Sequence, residues 1–134
     1  MKSQMDLNHE LFAAASAGDV GEIERLITLG ANPNFRDVLN GGICLHNAVH
    51  KGDVAATRRL LEFGADPNIV TQNTYTSPLG VAALAGNRAM VELLLAFDAR
   101  LSEQEVLTGL LSECRELDHH HIANAIEAGR REKQ

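Results

Sequence analysis

Six histidines and two cysteines are the side chains best suited to metal binding or nucleophilic chemistry. His46 and His50 stand four residues apart, a spacing that puts two imidazoles on one face of a helix and permits chelation. Cys44 lies two residues before His46, so a thiol and a base are close in sequence, as nucleophilic catalysis requires. His119, His120 and His121 run consecutively. Adjacent residues splay in different directions at a helix start, so the three converge poorly on one tetrahedral ion, and no Cys-x-x-Cys pair accompanies them. Other catalytic motifs are missing: there is no Gly-x-Ser-x-Gly elbow, no His-Glu-x-x-His and no glycine-rich phosphate loop. The expectation is a chain without a catalytic site, resident metal or cofactor. A metal- or ligand-responsive protein using His119–His121 is the alternative.

The elements that would position these groups follow an internal repeat. Gly18, Gly52 and Gly86 are separated by 34 residues each time, as are Leu11, Leu45 and Leu79; Ala14, Ala48 and Ala82; and Leu26, Leu60 and Leu94. Segments 11–34 and 45–68 agree at 11 of 24 positions; a third copy, 79–102, is looser but keeps the Leu, Ala and Gly positions. Each copy reads as a short apolar helix stopped by a glycine, which adopts the left-handed conformation without a β-carbon penalty. Asp19 or Asp53 then caps a second helix with apolar residues at helical spacing: Val20, Ile23, Leu26 and Ile27, or Val54, Thr57, Leu60 and Leu61. That helix ends at Gly30 or Gly64. Pro33 or Pro67 prevents its continuation, and the neighbouring Asn favours a turn. Ser77-Pro78, an N-cap hydroxyl followed by a first-turn proline, opens the next helix. Each unit is thus helix, tight turn, helix and projecting loop.

In these features the chain resembles the ankyrin-repeat family. Ile43-Cys44-Leu45-His46-Asn47-Ala48 and Ser77-Pro78-Leu79-Gly80-Val81-Ala82 echo that family's Thr-Pro-Leu-His-x-Ala stretch, and Gly30–Asn34 and Gly64–Asn68 its Gly-Ala-Asp-x-Asn ending. The period exceeds the family's usual value of about 33 by one. Val38 and Gln72 stand where the family usually has Asp, and Cys44 replaces the helix-opening proline. The resemblance implies an all-α solenoid of stacked helix-turn-helix units with projecting loops. It also implies that His46 hydrogen-bonds loop backbone, and that Cys44 and His46 point into the stack and not into a reactive site.

The expected organisation is a single domain over 1–134, with repeats at about 8–37, 38–71 and 72–102, a C-terminal cap at 103–129 and a tail at 130–134. In the cap, Ser102 and Glu105 form a capping box. One helix is expected to carry Val106, Leu107, Leu110, Leu111 and Cys114 on a common face, and Asp118 to cap a last helix that stops at Gly129. Leu26, Leu60 and Leu94 are expected to form a continuous buried seam.

A formal net charge of −6 argues against nucleic acid and against anionic membranes, and 4% aromatic residues are too few for a base-stacking platform. No window approaches the roughly 20 apolar residues of a membrane helix, and no apolar run long enough for a signal peptide follows Met1–Asp6, so neither is expected. Cys44 and Cys114, scattered within apolar helical patterns, read as buried thiols in a reducing, cytoplasmic setting. What the resemblance implies is a non-enzymatic protein-interaction module, acting as adaptor or inhibitor and expected to be monomeric, that grips a protein partner on its concave side. A homo-oligomeric structural protein remains a further alternative. Repeat register then places the contacts at the loop tips Arg36, Asp37, Leu39, Asn40, Val70, Gln72, Asn73, Thr74 and Tyr75, and at Ser16, His50, Lys51 and Leu84 on the first helices. Leu39, Tyr75 and Leu84 are apolar at positions the register leaves open; Leu39 and Tyr75 packing the loops together is the alternative.

Overall fold

A computed structural model describes residues 3–37, 41–72 and 74–132. Its helices pair in chain order: α1 (Gln4–Ala17) with α2 (Val20–Thr28), α3 (Cys44–Lys51) with α4 (Val54–Glu62), and α5 (Pro78–Ala85) with α6 (Arg88–Ala96). A single-turn α7 (Glu103–Leu107) precedes a fourth pair, α8 (Leu110–Glu116) and α9 (His120–Glu132). First helices α1, α3, α5 and α8 pack in succession as one layer, and second helices α2, α4, α6 and α9 as another. Helices account for all the regular structure among the described residues, which makes the chain an all-α solenoid. No helix among them is long and apolar enough to cross a membrane.

The caps follow from the residues at the turns. Gly18, Gly52 and Gly86 have φ of 72°, 74° and 72°, which lets the chain reverse within two residues. Asp19, Asp53 and Asn87 then accept the N–H of Glu22, Ala56 and Met90 at 3.2, 3.1 and 3.1 Å. Leu26, Leu60 and Leu94 are fully buried, and Ile126 extends their seam into the fourth pair. Burial of each contributes on the order of 1.5–3 kcal/mol. Ala14, Ala48 and Ala82, all buried, keep the first helices close.

The C-terminal cap differs from expectation in four ways. Gly109, with φ +80°, breaks the expected single helix into α7 and α8. The Glu105 side chain is buried against the third pair, and successive helical residues turn about 100°, so Val106 and Leu107 rotate outward and are exposed. Leu110 and Cys114 are buried as expected, and Leu111 is half-buried. Asp118 caps nothing: with φ +65° it ends α8, its N–H bonding Arg115 O and that of His119 bonding Cys114 O at 2.8 Å. His119 therefore holds the register of Asp19, Asp53 and Asn87, and its carbonyl starts α9. Finally, α9 does not stop at Gly129. Arg130 takes the register of Gly30, Gly64 and Asp98, whose positive φ values end α2, α4 and α6, and the helix continues to Glu132.

Candidate partner-binding surface

Side-chain struts hold consecutive units in register. Asn34 Nδ2 donates to Gly64 O at 3.0 Å while its Oδ1 accepts from Asp66 N at 2.7 Å. One repeat later Asn68 does the same with Asp98 O, at 3.2 Å, and Arg100 N, at 2.8 Å. At the N-terminal end two residues divide this role, Gln4 Nε2 donating to Gly30 O and Asn8 Oδ1 accepting from Asn32 N. These asparagines, readable in sequence as turn residues, satisfy backbone groups of the following loop. Their recurrence at the repeat spacing is the signal that marks them.

The loop bases are held by buried polar groups. His46 Nδ1 accepts the N–H of Ile43 at 3.2 Å, and Nε2 faces Thr76 O at 3.3 Å. Both contacts suit a neutral ring, and burial pushes the His46 pKa below its usual value. In the third unit the residue in the His46 register is Gly80, and a carboxylate fills the space. Glu105 Oε2 accepts from Ser77 N at 3.1 Å, while Oε1 accepts from Ser77 Oγ at 2.6 Å and Ser102 N at 2.8 Å. A β-carbon on Gly80 would overlap this carboxylate. Cys44 donates to Pro33 O at 3.4 Å, and burial pushes its thiol up to about 12, far from a reactive thiolate. The Cys114 thiol is also raised, first by burial and then by Glu113.

Several residues expected to make contacts are engaged within the fold. Arg36 Nη1 donates to Gly41 O at 2.6 Å and to Val70 O at 2.7 Å, tying the first projecting loop to the second. Asp37 exchanges backbone hydrogen bonds with Gly41 and Gly42, and Gln72 N bonds Gly41 O. The Thr74 hydroxyl lies between those of Thr71 and Thr76, 2.7 Å from each. Val70 is half-buried. Leu84 is half-buried, packed against the core. Leu39, Asn40 and Asn73, with Val38, lie outside the described residues.

His50 and Lys51 are exposed on α3, and Ser16 on α1, where its hydroxyl is 3.4 Å from Asn47 Nδ2. Tyr75 is held by its backbone, its N–H bonded to Thr71 O and its carbonyl to Ser102 Oγ at 2.6 Å, with φ +52°. Its side chain is left 54% exposed. Exposed apolar residues that the repeat register does not single out include Val106 and Leu107 on α7, which follows directly from the Ser102 that holds Tyr75, and Leu117, besides Met5 and Leu29. By its position before the left-handed Asp118, Leu117 shares the register of Ala17, Lys51 and Ala85 at the first-helix ends.

The terminal histidines are dispersed. His119 Nε2 lies over Gly86, where a β-carbon would come within 2.6 Å; His120 Nε2 is 3.3 Å from Asp118 Oδ1; and His121 is exposed. Among the described residues no three His, Cys, Asp or Glu side chains are grouped to hold a metal ion. A family model describing ankyrin repeats, in three copies, matches residues 11–105. No curated protein matches the chain.

Proposed function

Because the chain belongs to the ankyrin-repeat family, whose repeats are generally protein-interaction modules and not enzymes, we propose that it binds a protein partner through its concave loop and first-helix surface. The single observation carrying this reading is the exposed Tyr75 side chain on a loop otherwise occupied with its own hydrogen bonds. A rigid aromatic presented on an ordered backbone loses little entropy on docking, and Tyr is a frequent hot-spot residue. Exposed His50, Lys51 and Leu117 supply a polar-to-apolar row along the same layer of helices. On this reading the module acts as a monomeric adaptor or inhibitor, divided into repeats at about 8–37, 38–71 and 72–102 and a cap from 103. Two free, buried thiols suit a reducing, cytoplasmic setting.

Immobilised protein and variants, compared for capture of a partner from native lysate, test the reading. Tyr75→Ala combined with Lys51→Glu should abolish capture, while Arg58→Glu on the second-helix layer should leave it intact. Equal capture by all three proteins would remove the concave surface from consideration.

A further inference from the structure

A groove of about 530 Å³ lies between the third unit and α9, away from the exposed row on the first helices. Its walls are Leu79, Leu95, Ala99, Leu101 and Ile126, and its rim carries Asp98, Arg100 and Arg130. The opening has an identifiable origin in the repeat register. Counting from the capping positions Asp19, Asp53, Asn87 and His119, the tenth residue onward is Leu29, Phe63, Phe97 and then Gly129. Where the two preceding units place a phenyl ring, the last pair places no side chain. At the sixth residue onward Ala125 stands where Leu93 stands in α6. The extension of α9 beyond Gly129 then brings Arg130 to the rim, in place of the turn that closes each earlier unit.

We propose that this groove binds a small amphiphilic carboxylate, its alkyl chain against the leucine and alanine walls and its head group on Arg100 and Arg130. The volume falls within the range of small-molecule sites, about 300–1,000 Å³, and the walls offer chiefly apolar contact. Guanidinium groups bind carboxylates through paired N–H donors, so the rim selects an anionic head over a cationic one.

Titration with sodium decanoate, followed by amide chemical shifts below its aggregation threshold, tests the site, with decyltrimethylammonium as the charge-reversed control. Saturable shifts at groove residues are expected with decanoate alone. Arg130→Gln or Arg100→Gln should weaken binding about ten-fold. Gly129→Phe should block the groove without harming the fold. Gly129 is helical, and a β-carbon there meets only Leu95 Cδ2 at 3.7 Å, an ordinary contact. Ala125→Leu is a second filling variant should the phenyl ring prove too large, and circular dichroism verifies that either one is folded. Equal binding of the two amphiphiles, undiminished binding by a folded filled variant, or the absence of saturable decanoate shifts would each overturn the proposal.

Discussion

If Glu105 replaces, from the next unit, the acceptor that His46 supplies within its own, then transplanting the histidine should rescue loss of the carboxylate. Three hydrogen bonds end on Glu105, from Ser77 N, Ser77 Oγ and Ser102 N, and the Ser77 side chain is fully buried. Glu105→Ala leaves the two Ser77 donors unsatisfied. At about 1–3 kcal/mol for each buried unpaired group, the expected loss is about 3–5 kcal/mol. Gly80→His alone is also destabilising, since its β-carbon overlaps the carboxylate; strain of this kind costs about 1–3 kcal/mol. Combined, the substitutions remove the clash and let the new ring accept from Ser77 N as His46 does from Ile43 N. The double variant should therefore lie within about 2 kcal/mol of the parent, so the coupling energy is favourable by at least about 2 kcal/mol. Urea unfolding followed by far-ultraviolet circular dichroism measures all four corners of the cycle. Additive losses, or a Glu105→Ala variant as stable as the parent, would refute the equivalence.

Three further expectations concern the same framework. Asn34→Ala and Asn68→Ala should each cost about 1–2 kcal/mol, as urea denaturation of each single variant checks. Burial lowers the His46 pKa, so the native protein binds fewer protons there than the unfolded chain. The stabilisation is complete above the ordinary value of 6.5 and is lost as pH falls from there through the native value, and His46→Gln should remove that part of the pH dependence of the melting temperature. Cys44 should resist a thiol reagent such as Ellman's at neutral pH in the native state and react readily in denaturant, since its thiol is buried and raised to about 12; rapid native labelling of Cys44 would contradict this.

The stacking, the caps and the seam were legible because each rests on local chemistry repeated at a fixed spacing. A glycine before an aspartate marks a helix reversal in the first two units, and Leu26, Leu60 and Leu94 disclose their common burial by their register. The C-terminal pair was legible only in part, because its register slips: His119 follows Asn87 by 32 residues, whereas Asn87 follows Asp53 by 34. Helical periodicity alone placed Val106 and Leu107 on the same face as Leu110. The long-range bonds of Glu105 to Ser77 decide otherwise, and no local pattern encodes them. Likewise Asp118 is a suitable N-cap by residue type, yet the backbone uses its tolerance of positive φ. The side-chain environment of the proposed contact residues was the least legible. Register identifies positions on loops and first helices, but whether Arg36 faces a partner or the carbonyls of Gly41 and Val70 depends on how neighbouring loops meet.

That last distinction bears on how such a small solenoid can separate folding from recognition. Its projecting loops contain many backbone groups that no helix satisfies, and these need partners before the loops can form a rigid surface. Arg36, the Thr71 hydroxyl, Asn34, Asn68 and His46 supply them from within the fold. On the proposed function, a substitution at any of these residues would weaken binding by loosening the loops, even where the side chain never touches a partner. Tyr75, Lys51, His50 and Leu117 stand differently: their side chains are exposed, so changing them alters the surface while sparing the framework. If the proposed surface is the one that binds, specificity can vary along this row with little cost in stability, whereas the struts are held to one chemistry by the carbonyl and N–H they must join. Paired measurements of unfolding and capture distinguish the two groups, because only the strut variants should lose both together.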